Sequence, residues 1–130
     1  MATAQGCIAQ TIPYIQHRLQ VGRRISQFQN TQFQIADMAT KVAAARLLVY
    51  RAAQAKQDGE PYSHLAAMAK LFASETASNV TRRCVQLFGG YGFTREYPVE
   101  RMMRDAKITE IYEGTSEVQR MVISGWMGVK

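Results

Sequence analysis

Ile35, Met38, Val42, Ala45, Val49 and Ala52 recur at steps of three and four residues. That rhythm admits one regular structure, an amphipathic α-helix of about five turns. Thr31, with Gln34 three residues on, predicts a capping box at its start. Gly59 and Pro61 predict its end. A second long helix opens near Ser63 and carries Leu65, Met68, Phe72, Val80, Cys84 and Leu87. Two long helices joined by so short a turn must pack antiparallel.

The rest of the chain fits around that pair. Ile8, Ile12, Ile15 and Leu19 predict an earlier helix, kinked or delayed by Pro13 and ended at Gly22. Gly89-Gly90-Tyr91-Gly92 stops the second long helix. Pro98 is placed in the first turn of another helix. A last helix starts near Ser116, with Val118, Met121, Val122 and Trp126 on one face. No run of β-branched residues alternates, so no strand is predicted. The fold class is all-α, an antiparallel up-and-down bundle of four or five helices. Many core positions are alanine, which lets helices approach closely but thins the core. Neighbouring domains or subunits are expected to cover the remaining apolar surface.

Charge excludes more than it suggests. The net charge is +6, but the basic residues are scattered from Arg18 to Lys130 among acids. No basic stripe offers itself to nucleic acid, and no nucleic-acid partner is expected. No apolar stretch reaches the length of a membrane span, so no membrane is expected either. Cys7 and Cys84 make no metal-ligand spacing with His17 and His64, so no metal site is predicted. Cys84 reads as a small core residue in a reduced, intracellular protein.

Three places have residues that a plain bundle does not need. Arg18, Arg23 and Arg24 cluster where a helix ends. They either balance the helix dipole or hold a phosphate through a bidentate pair. Gln86-Leu87-Phe88-Gly89-Gly90 either stops a helix or leaves bare backbone for a ligand to approach. Tyr112-Glu113-Gly114-Thr115 precedes the last helix, with Ser116 and Gln119 set for a capping box. Glu113 is either a dipole-stabilising surface carboxylate or a positioned base. Packed against apolar ligands, its proton affinity would rise toward the working pH.

Together these segments resemble one family. Residues 101–120, Arg101-Met102-Met103-Arg104-Asp105-Ala106-Lys107 through Ile111-Tyr112-Glu113-Gly114-Thr115-Ser116 to Arg120, are similar to a signature of the acyl-CoA dehydrogenases, most closely the short-chain, butyryl-CoA-type branch. Gln86 to Gly92, Tyr97-Pro98-Val99-Glu100, and Arg18 eleven residues before Gln29 match as well. The resemblance covers residues 1–130 and implies the family's C-terminal helical domain, without the N-terminal helical and middle β-domains.

It further implies that Glu113 takes the substrate's α-proton, with Tyr112 and Gly114 beside the thioester. It places Thr115 and Glu117 against FAD. It assigns Arg18, Gln29, Gln86, Leu87, Phe88, Gly89 and Gly90 to an adjoining subunit's FAD. The implied partners are a short-chain acyl-CoA, an electron-transfer flavoprotein and three further copies in a homotetramer built as a dimer of dimers. The implied location is cytoplasmic in a bacterium and the mitochondrial matrix in a eukaryote. Val21 departs from the family, which often has phenylalanine before the glycine. Alone, these residues are expected to have little or no activity. A non-catalytic oligomerisation module, an acyl-CoA oxidase domain and catalysis in the enoyl-CoA-reducing direction stand as alternatives.

Overall fold

A computed structural model describes residues 1–129. Helix α1 runs Ala2–His17, α2 Gln29–Gln57, α3 Ser63–Phe88, α4 Gly90–Phe93, α5 Val99–Ile108 and α6 Ser116–Trp126. Five of these are full helices and α4 is a single turn, as an all-α bundle requires. Helix α3 is the hub, touching α1, α2, α4, α5 and α6.

The core is built on that hub. Cys7 and Ile8 from α1, Met38 and Val42 from α2, and Ala77, Val80, Cys84 and Phe88 from α3 form one cluster with Val99 and Ala106 of α5. Met38, Val80, Cys7 and Cys84 are completely buried. The alanines at 45, 52 and 55 let α2 lie close on α3. Phe33, Leu47 and Tyr50 on the far side of α2 are more than half exposed. The core is thin, and apolar surface is left over, as the composition predicts.

Local chemistry explains the joints, with four corrections to the sequence reading. First, α1 holds Pro13 in its interior and ends at His17, well before Gly22. Second, Gly22 belongs to a hairpin that was not predicted. Strands β1 (Leu19–Gln20) and β2 (Arg23–Arg24) pair antiparallel, Leu19 with Arg24 and Gln20 with Arg23. The turn places Val21 at φ 51° and Gly22 at φ 74°. A two-residue turn that matches strand twist needs positive φ at both positions, so geometry overrides valine's preference. Two-residue strands are too short to show alternation in a sequence.

Third, Thr31 does not cap α2. The helix starts at Gln29, and the preceding 3₁₀ turn Ile25–Gln27 feeds into it. The Phe28 carbonyl accepts from the Thr31 and Gln32 amides at 2.9 and 3.2 Å, so no side-chain cap is needed. Fourth, α6 is capped by Thr115, whose Oγ1 accepts from the Val118 amide at 3.4 Å. Ser116 and Gln119 therefore form no capping box. The turn after α2 is as expected. Gly59 stands at φ 72°, with Gly59 N–H to Lys56 and Glu60 N–H to Ala55 at 3.3 and 2.9 Å. These are the paired bonds of a left-handed glycine cap.

Candidate active site

The structure sorts the predicted residues into two places at opposite halves of α3. The first is a groove of about 710 Å³ at the C-terminal end of α3. Arg18, Gln86, Leu87, Phe88, Gly89 and Gly90 all line it. Gln29 does not, although its neighbours Phe28 and Asn30 do. Arg18 follows the last residue of α1, and its guanidinium lies 5.2 Å from the centre of the Tyr91 ring. Arg23 lies 4.2 Å over Phe28.

The glycines there separate by cause. A Cβ on Gly92 would meet the Val85 carbonyl oxygen at 2.4 Å, so packing within the fold demands glycine. Gly89 stands at φ 62°, which favours glycine for its backbone alone. Gly90 has an ordinary φ, and a Cβ on it would meet nothing within 4 Å. Its bareness serves no contact inside this chain and leaves backbone open to an approaching group. With the Arg18 cation alongside, the groove has the chemistry to meet an anionic group.

Beneath it sits an aromatic layer that the sequence reading missed. Tyr14 stacks on Phe88 with ring centres 4.0 Å apart, and its hydroxyl donates to the Phe88 carbonyl at 3.1 Å. Tyr97 packs edge-on against Tyr14 and against Tyr91. Burial pushes the Tyr14 phenol above its usual range, against the opposing charge of Arg18. These rings are spread over α1, α3, α4 and the loop before α5. No single segment announces them.

The second place is the loop between α5 and α6. The Ser116 amide closes it onto the Glu110 carbonyl at 3.0 Å. Inside, Glu113 stands at φ 54° and Gly114 at φ 89°. Left-handed backbone costs a side-chain-bearing residue ~1–2 kcal/mol, so something must hold Glu113 there. Gln119, nearly buried on α6, donates from Nε2 to the Glu113 carbonyl at 3.3 Å and the Gly114 carbonyl at 3.1 Å. Lys70 on α3 donates to the same Gly114 oxygen at 2.6 Å.

The Glu113 carboxylate itself is exposed in this chain, beside half-exposed Tyr112 and Ile111. Thr115 is partly buried and Glu117 is exposed in the first turn of α6. The Glu117 carboxyl is held below the usual range by its own backbone amide and by the Thr115 hydroxyl. Burial pushes Glu110 up, but the Lys107 ammonium and the Ser78 hydroxyl together more than reverse it. Lys70 was not anticipated. Its one sequence signal is isolation, as the only ionised side chain between Glu60 and Glu75.

The description "Acyl-CoA dehydrogenase, C-terminal domain" matches residues 1–128. The chain belongs to that family. It is 55% identical to a short-chain specific acyl-CoA dehydrogenase of Clostridium acetobutylicum over 96% of its own length and 33% of the relative's. Butyryl-CoA dehydrogenase from Megasphaera elsdenii superposes with a TM-score of 0.93 at 50% identity, covering 96% of this chain and 33% of that one. A chain in a structure described as the electron transferring flavoprotein of Acidaminococcus fermentans, concerned with flavin-based electron bifurcation, has a TM-score of 0.93 and 57% identity, over 96% of this chain and 33% of that one. This domain thus spans about a third of the length of the acyl-CoA dehydrogenases it matches. Among the described residues no helix is long and apolar enough to cross a membrane, and no three potential ligands cluster for a metal.

Proposed function

We propose that this domain supplies the catalytic base and one FAD-contacting surface of a short-chain acyl-CoA dehydrogenase. The observation that carries the reading is the Glu113 loop. Its carboxylate is offered outward from a backbone that three hydrogen bonds hold in a left-handed shape. A surface residue that merely balances a helix dipole has no need of that arrangement.

Glu113 takes the α-proton of the thioester. Tyr112 and Gly114 border the substrate, and the small Gly114 lets the thioester come close to the loop backbone. FAD, the cofactor of this family, supplies the acceptor for hydride when bound. Thr115 and Glu117, at the start of α6, would hold it beside the base. Covering the loop with thioester, flavin and neighbouring protein would exclude water from the proton transfer.

The groove performs a separate task. Arg18, the Gln86 side-chain carboxamide and the open backbone at Gly90 would hold the adenosine-diphosphate end of FAD, with Leu87, Phe88 and Gly89 lining the groove and Gln29 beside it. Sixteen residues of α3 separate Lys70 under the base loop from Gln86 in the groove, about 24 Å at 1.5 Å per residue. That spacing supports a groove that serves the flavin of an adjoining subunit. The exposed apolar residues of α2 and α6, among them Leu47, Tyr50, Met121 and Trp126, support burial in a homotetramer. They would equally suit a purely structural module, the second reading. The relatives support a short acyl-CoA as substrate and an electron-transfer flavoprotein as electron acceptor.

The test is Glu113→Gln in the flavin-loaded enzyme carrying this domain. Acyl-CoA oxidation should fall by ~10²–10⁴ or more, with flavin content unchanged. An active Glu113→Gln enzyme would leave the structural-module reading standing.

A further inference from the structure

Lys70 has no ordinary occupation. It is partly buried in the N-terminal half of α3, and it enters none of the ion pairs among the described residues. Long charged side chains rarely accept burial without a partner. The hydrogen bond Lys70 does make goes to a carbonyl 44 residues away, at 2.6 Å. That carbonyl belongs to Gly114, the residue next to Glu113.

The consequences follow from the bonding. A carbonyl oxygen has two lone pairs. At Gly114 one meets the Lys70 ammonium and the other the Gln119 carboxamide. Gln119 also holds the Glu113 carbonyl. The peptide planes on the C-terminal side of both residues are therefore fixed, and with them the direction in which the Glu113 side chain leaves the backbone. The two donors come from different helices, Lys70 from α3 and Gln119 from α6. A charge-assisted bond is the stronger kind, and it ties the loop to the most buried helix of the domain.

We propose that Lys70 is a positioning residue for Glu113. It acts through the Gly114 carbonyl and makes no contact of its own with substrate. The proposal rests on the reading of Glu113 as the base. It extends that reading to a residue that lies outside the loop and 43 positions before it in the chain.

The test uses the ¹⁵N-labelled chain and the flavin-loaded enzyme in parallel. Lys70→Met removes the donor and Lys70→Arg restores one. Loss of one such bond is expected to speed exchange of the Ser116 amide by about tenfold, while amides in α2 and the second half of α3 keep their protection. Lys70→Arg is expected to recover most of it. In the enzyme, Lys70→Met should lower kcat with KM and flavin content unchanged, and Lys70→Arg should restore kcat. Lys70→Leu, which also lacks a donor, has the same expectation should Lys70→Met fail to fold. Unchanged exchange and unchanged kcat in these variants would overturn the proposal. A loosened loop in an enzyme that tolerates Glu113→Gln would instead reject the base assignment and leave the Lys70 clamp intact.

Discussion

Replacing Gly114 with alanine is expected to destabilise the domain by about 2–5 kcal/mol. Two terms add. Alanine at φ 89° sits in left-handed backbone, which costs ~1–2 kcal/mol. Its Cβ would also lie 2.8 Å from Nε2 of Gln119, too close for either to stay. The carboxamide must move and forfeit its bonds to the Glu113 and Gly114 carbonyls, at about 0.5–1.5 kcal/mol each. Urea unfolding followed by circular dichroism would register the sum as a midpoint lowered by roughly 1–2.5 M, with a slope near 2 kcal/mol/M. A double-mutant cycle separates the terms. In a Gln119→Ala background the hydrogen bonds are already gone, and Gly114→Ala should cost only its backbone part. Equal cost in both backgrounds, or a total below about 0.5 kcal/mol, would refute the claim that Gln119 and Gly114 hold the loop together.

Three further outcomes are expected. Val21 stands at φ 51° and is 91% exposed, so Val21→Asn should relieve strain without touching the core and stabilise by about 1 kcal/mol, read as a raised thermal midpoint. Tyr91→Leu removes the ring beside Arg18 and should weaken FAD retention by the enzyme about 2–5-fold, the worth of an exposed cation–π contact, measured as a flavin dissociation constant. The carboxyls of Glu110 and Glu117 lie below their ordinary value when folded. Their contribution is therefore complete above ~4.3 and is lost as pH falls through the lowered folded values. The urea midpoint should begin to drop below about pH 4.3, and Glu110→Gln should make that drop shallower.

The sequence made the bundle legible wherever one residue type does one local job. The three-and-four rhythm of Met38, Val42 and Ala45 marks the buried face of α2. Gly59 marks its cap, and Val80 and Cys84 mark the core of α3. Capping failed for a definite reason: Thr31 lies inside a helix already begun at Gln29, and the Val118 amide at the start of α6 is taken by the Thr115 hydroxyl one residue before Ser116. The hairpin at Val21-Gly22 escaped because a valine in left-handed backbone contradicts its own propensity. In the site, the motif residues Arg18 and Gln86 to Gly90 come together in a single groove, while Gln29 lies beside it. Lys70, Tyr14 and Tyr91 were invisible because their roles are contacts across 44 or more residues, or between separate elements. Periodicity reports which face of a helix is apolar. It does not report where one lysine on that helix will end.

The account rests on Glu113 being the group that exchanges the α-proton. The most direct measurement is solvent exchange at that carbon. Flavin-loaded enzyme is mixed with a short acyl-CoA in deuterium oxide without an electron acceptor, and label entering the α-position is followed by mass spectrometry. Wild-type enzyme is predicted to exchange this hydrogen, and Glu113→Gln enzyme with full flavin content is predicted to do so ~10²–10⁴ times more slowly. Exchange at the wild-type rate by Glu113→Gln would contradict the assignment.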